Sequence, residues 1–163
     1  MCSVARDMAD PLPTASSPAT SLIPSEPRLA GLTEQWISFV NTIVDRTLIR
    51  TYLFAYIKAM MTCELPDRLA IDSILPDTGK QIGILDNAVA KSGYLVGDQL
   101  TLADLNLLPI FDRVILAPEG AEALAATAHL NRYFEKHAAR PSFQRTSSTA
   151  GPPERAKRTR SVA

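Results

Sequence analysis

Gly93-Tyr94-Leu95-Val96-Gly97-Asp98-Gln99-Leu100-Thr101-Leu102-Ala103-Asp104-Leu105 reads as a turn that runs into a helix. Gly93 and Gly97 bracket the turn, and Thr101 and Asp104 stand three apart where the helix begins. At that spacing the threonine hydroxyl can accept from the Asp104 backbone N–H while the Asp104 carboxylate reaches back to the N–H of Thr101, a carboxylate form of the capping box. Leu100 and Leu105 fall where a hydrophobic staple would fix the angle at which the chain joins the helix. The carboxylate also meets the positive end of the helix dipole, which adds roughly 0.3–1 kcal/mol to a cap worth about 1 kcal/mol. Thr101 and Asp104 are therefore read as a structural capping box and not as catalytic groups.

Outward from this point the pattern is helical in both directions. Leu102, Ala103, Leu105, Leu107, Leu108, Ile110, Phe111 and Val114 leave the capped helix without a polar face, which places it centrally, with a bend expected at Pro109. Pro118-Glu119-Gly120 reads as a turn, and residues 121–139 as one helix with Leu124, Ala128, Leu130, Tyr133 and Phe134 as core candidates, ended by Pro141. Upstream, apolar residues recur at offsets of three and four from Leu29 to Met60, which predicts one long amphipathic helix. Ser25 is its expected cap with Pro27 in the first turn, although Gly31 could delay the start to Thr33. Glu64-Leu65-Pro66 should end it, and Asp67 should cap the next helix, which Pro76 stops or kinks before Ile82, Leu85 and Val89 form a stripe. With no internal repeat and no alternating strand, the fold expected is an all-α bundle of about five helices. Residues 1–21, rich in Pro, Ser, Ala and Thr, are expected to be a disordered lead-in, residues 22–146 the helical domain, and residues 147–163 a disordered basic tail.

The run Tyr94-Leu95-Val96-Gly97-Asp98 followed by Leu100-Thr101-Leu102-Ala103-Asp104 resembles the capping segment of the C-terminal helical domain of cytosolic glutathione S-transferases, Y-L-x-G-x-x-x-[ST]-x-A-D. Leu22-Ile23-Pro24-Ser25-Glu26-Pro27-Arg28 resembles the linker that leaves that family's thioredoxin-like domain. Pro118-Glu119-Gly120 and Arg140-Pro141-Ser142-Phe143-Gln144-Arg145-Thr146 resemble a bacterial branch of it, and Tyr133 stands where that branch commonly has tryptophan. The resemblance implies an ancestral transfer of glutathione to electrophiles. It also implies that the thiol-activating and glutathione-binding groups belong to an N-terminal thioredoxin-like domain with no counterpart in these residues, so that the chain alone is expected to be inactive.

Composition narrows the partners. The 163 residues carry 17 basic and 17 acidic side chains, and 46% are hydrophobic, so charge offers no case for nucleic acid. The basic stretch near Arg155 to Arg160 has no interleaved aromatics for base stacking. Cys2 and Cys63 match no metal-ligand spacing and read as free thiols of a reducing compartment, which makes cytoplasm the expected location. No apolar run reaches membrane-spanning length. His129 and His137 lack cysteine or carboxylate neighbours at zinc-site offsets, so they are read as surface residues, and neither a metal nor a cofactor is expected. Glutathione enters only as a co-substrate, if another chain supplies the thioredoxin-like domain.

The candidate substrate-binding residues are Tyr52 and Tyr56 on the first long helix, whose counterpart in the resembled family lines the electrophile pocket. The face meant for the missing domain should be apolar and exposed, with Leu53, Ile57, Met60 and Met61 as contributors. Expected partners are a second copy of the chain or a thioredoxin-like chain. The alternative to the transferase reading is a non-catalytic interaction module, and a third reading is a broken gene product without a selected role.

Overall fold

A computed structural model describes residues 21–147. The expected lead-in and basic tail fall almost entirely outside them. The described residues form an all-α bundle without a strand. α1 (Pro27–Phe39), a π-helical segment (Val40–Leu53) and α2 (Phe54–Thr62) run on as one rod. α3 (Arg68–Val89), α4 (Leu102–Val114), α5 (Pro118–Ala125), α6 (Ala128–Ala138) and α7 (Pro141–Thr146) follow.

The long first rod has the predicted length and a different middle. Its π segment spans 14 residues, far beyond the single-turn bulges in which i→i+5 bonding is usually met. Side chains follow the wider turn: Arg50 Nε donates to Asp45 Oδ2 at 2.6 Å, and the Thr51 hydroxyl donates to the Arg46 carbonyl at 2.9 Å, each five residues back. Val40, Val44, Leu48 and Tyr52 stay on one side and are fully buried, each worth about 1.5–3 kcal/mol of apolar burial. α4 packs against this segment and α1, and α3 packs against the same segment and α6. The capped helix is thus central, as its lack of a polar face requires.

Helix starts are set by carboxylates. Glu26, not Ser25, caps α1, because its longer side chain folds back to accept from Arg28 N–H at 3.0 Å and Leu29 N–H at 2.8 Å. With that cap and Pro27 at the first position, Gly31 does not delay the start. Asp67 caps α3 through Ala70 N–H at 3.1 Å, as predicted. Pro76 lies inside α3 and Pro109 inside α4 without breaking either. Both prolines and the residues four before them are exposed, so the carbonyls they leave without a donor turn toward water.

The single helix predicted over residues 121–139 is two. Thr127 is extended, its N–H and hydroxyl both turn back to the Leu124 carbonyl, and Asp86 of α3 accepts from His129 N–H at 3.0 Å and Leu130 N–H at 2.7 Å. A carboxylate from a neighbouring helix therefore starts α6 afresh. Ala128, expected in the core, is exposed at that start, whereas Leu124, Leu130, Tyr133 and Phe134 are buried. Pro118-Glu119-Gly120 is the first turn of α5 and not a free turn. No helix among the described residues is long and apolar enough to cross a membrane.

Candidate functional site

Two clusters of hydrogen bonds, each gathered on one carboxylate near a helix start, hold the polar chemistry of the bundle. The first is built on Asp104. Gly93 and Gly97 adopt positive φ, 73° and 62°, which only glycine takes without strain, and the turn they shape carries Leu95 back over the start of α4. There Leu95 N–H donates to Asp104 Oδ1 at 2.9 Å. The Thr101 N–H and hydroxyl donate to Oδ2 at 2.8 and 2.9 Å, within the predicted capping box. Tyr133 of α6 adds its hydroxyl to Oδ1 at 3.1 Å. Asp104 is completely buried, and four donors meet its two oxygens, so a buried charge is compensated in full. Burial, followed by the charge and hydrogen bond of Asp104, pushes the Tyr133 hydroxyl far above the ordinary tyrosine range.

His137 stands next to this cluster and corrects the expectation of a surface histidine: it is buried, between the rings of Tyr94 and Tyr133 at 5.4 and 4.7 Å. Its pKa is lowered, by burial first and also by the charges of Lys136 and Arg140, against the Gly93 backbone and Asp104, which raise it. His129 is exposed, as expected. Leu100 and Leu105, the staple pair, line a groove of about 310 Å³ together with Leu108, Pro109 and Phe143.

The second cluster unites residues far apart in the chain. Tyr52 and Tyr56 both donate to Glu119 Oε2, at 2.9 and 2.6 Å. Arg68 of α3 donates to Glu119 Oε1 at 2.6 Å, to the Tyr56 hydroxyl at 3.2 Å and to Asp72 at 2.8 Å. The Gly120 N–H donates to the Tyr52 hydroxyl at 2.8 Å. Gly120 is required by space, because a Cβ there would overlap the Val114 carbonyl oxygen. Burial alone would raise the Glu119 pKa, but the bonds from Tyr56, Arg68, its own backbone and Tyr52 outweigh it and hold the carboxyl at about 2. Tyr52 and Tyr56 are both pushed upward, by burial first and by Glu119 second.

The two tyrosines predicted as substrate contacts thus come together, 5.6 Å between ring centres. Their hydroxyls are spent on Glu119, and Tyr52 has no exposed surface at all. Glu119, Arg68, Gly120 and Asp86 did not stand out in the sequence; the one available signal was the Pro-Glu-Gly run. Of the expected apolar docking face, Ile57, Met60 and Met61 are exposed, whereas Leu53 is buried against the core. Among the described residues no group of three or more His, Cys, Asp or Glu is placed to hold a metal ion.

Comparison with known proteins agrees with this architecture. The model of the glutathione S-transferase C-terminal domain matches residues 51–141, more than half of the chain. Glutathione S-transferase 3 of Zea mays is 28% identical over 141 residues, covering 80% of this chain and 58% of the maize protein. A probable elongation factor 1-gamma of Caenorhabditis elegans is 25% identical over 116 residues, 69% of this chain and 27% of that protein. The crystal structure of glutathione transferase F7 from Populus trichocarpa superposes with a TM-score of 0.72 at 21% identity, covering 81% of this chain and 61% of that one, a likeness of fold. The chain therefore spans less than two-thirds of these relatives. A bundle of this topology, with its central helix started by the Thr101–Asp104 box inside the matched segment, belongs to the glutathione S-transferase C-terminal domain family.

Proposed function

We propose that this chain is the substrate-side helical half of a glutathione S-transferase of the family's bacterial branch, acting in transfer of glutathione to an electrophile together with a thioredoxin-like chain. The family match over residues 51–141 carries the reading. In it, Tyr56, half-buried, offers its ring to the substrate wall, while Tyr52 beneath it holds Glu119 and the start of α5 in place. Neither activates a thiol: a group that withdraws the glutathione proton needs a free acceptor, and both hydroxyls already donate to a carboxylate. Glutathione activation is assigned to the partner, and the chain alone is inactive. The exposed free thiol of Cys63 suits the reducing cytoplasm. A second copy of the chain is the other partner.

The test is glutathione conjugation to an aryl halide, followed by absorbance. The chain alone should show none, and mixing it with a purified thioredoxin-like transferase half should restore turnover. Turnover by the chain alone would overturn the division of labour.

The second reading, a non-catalytic interaction module, is favoured by the match to the elongation factor 1-gamma relative. A stable complex with another protein, without turnover under any mixing condition, would put it first.

A further inference from the structure

We infer that the groove between α4, α6 and α7 binds a small carboxylate with an apolar body, its head held by His137 and Arg140. The groove encloses about 310 Å³, at the lower end of the range of small-molecule sites, about 300–1,000 Å³. Its lining is chiefly apolar, from Leu108 and Pro109 of α4, Phe143 of α7 and the staple pair. Such a surface takes up an alkyl or aryl body without fixing its orientation, which is left to a few polar groups.

Two side chains at the end of α6 supply those groups. His137 lines the groove and is 1% exposed, and neither of its ring nitrogens has a hydrogen-bond partner. Buried polar groups are nearly always paired, so an imidazole with an unused donor and acceptor beside a groove calls for a partner from outside the chain. Arg140 follows three residues later, and its N–H donates to the His137 carbonyl at 3.1 Å, so both side chains leave the same turn. Arg140 also lines the groove, is exposed, and is in no ion pair among the described residues. Asp112 lines the α4 side, where it is buried and accepts from the Ser147 hydroxyl at 2.6 Å. An amine head would face the Arg140 cation, and an alcohol would leave that cation unused. A carboxylate accepts from His137 and Arg140 together, and charge-assisted bonds are the strong ones. Tyr52, Tyr56 and Glu119 do not line this groove, so its ligand is independent of the glutathione transfer proposed above.

The test is calorimetric titration of the full chain with phenylbutyrate, phenylbutanol and phenylbutylamine, which share one apolar body and differ in the head. Phenylbutyrate should bind saturably, and the other two about tenfold more weakly or worse. Arg140→Gln, at an exposed position where folding is undisturbed, should weaken phenylbutyrate about tenfold and leave phenylbutanol unchanged. His137→Leu, which keeps an apolar side chain in the core, should also weaken phenylbutyrate. In proton–nitrogen spectra of the imidazoles, phenylbutyrate should move the His137 signals and leave those of His129, at the other end of α6, in place. No saturable heat from the folded wild type would overturn the site. Equal binding of the three heads, or equal binding of phenylbutyrate by wild type and either variant, would overturn the anchoring of a carboxylate. Stationary His137 signals at saturating phenylbutyrate would place the ligand elsewhere and overturn the assignment of this groove.

Discussion

Asp104 and Glu119 occupy comparable places, one three residues into α4 and one two residues into α5, and each collects tyrosine hydroxyls and backbone order around a helix start. They differ in what they touch. Asp104 is sealed from water and receives neutral donors, two of them from Thr101 only three residues away. Glu119 is partly open, bears an ion pair with a half-exposed Arg68, and draws every side-chain partner from 51 to 67 residues away. A neutral, buried, local hub fixes how one helix begins. A charged, partly wet, long-range hub ties the first rod, α3 and α5 together and depends on pH.

The largest effect should come from Asp104→Ala. It strands Leu95 N–H, Thr101 N–H and the Tyr133 hydroxyl in the core, and chemical denaturation should show a loss of about 3–5 kcal/mol. A loss near 1 kcal/mol would mean that the turn relaxes and water enters, and the contrast between the hubs would collapse. Next is Gly120→Ala, whose methyl has no room against Val114; overpacking of this kind costs about 1–3 kcal/mol. An unchanged midpoint there would place the α5 start farther from α4 than described.

Glu119→Gln keeps the shape, removes the ion pair and should cost about 1–2 kcal/mol at neutral pH. Its sharper signature is in acid. Because the folded pKa of Glu119 lies near 2, below the ordinary glutamate value of 4.5, its contribution is complete above 4.5 and drains away as pH falls toward 2. The wild type should lose stability across that window, and the Gln variant should lose less. His137 acts in the same direction at higher pH: its lowered folded pKa makes the unfolded chain bind protons first as pH drops through 6.5. The smallest effects compare single hydroxyls. Tyr133→Phe should cost about 1–1.5 kcal/mol and Tyr56→Phe about half that, since water can replace the second partner but not the first. Equal costs would remove the distinction between a sealed and an open hub.

The same contrast explains what could be read from the chain. Asp104 was legible because its capping partner lies within one helical turn, and the periodicity that marks α3 and the buried α4 is likewise local. Glu119 was hidden because nothing near Pro118 reveals that Tyr52, Tyr56 and Arg68 will converge on it. The break between α5 and α6 was missed for the same reason, since its cap, Asp86, belongs to α3. The π segment was invisible because spacings of four fit an α stripe, and only the fold shows the five-residue bonds.

Calorimetric titration of these purified, folded helices with reduced glutathione tests the central claim, that glutathione recognition lies outside them. The account predicts no saturable heat. Saturable binding at micromolar to low-millimolar affinity, retained when Tyr56 is changed to Phe, would contradict it and place a glutathione site within these helices.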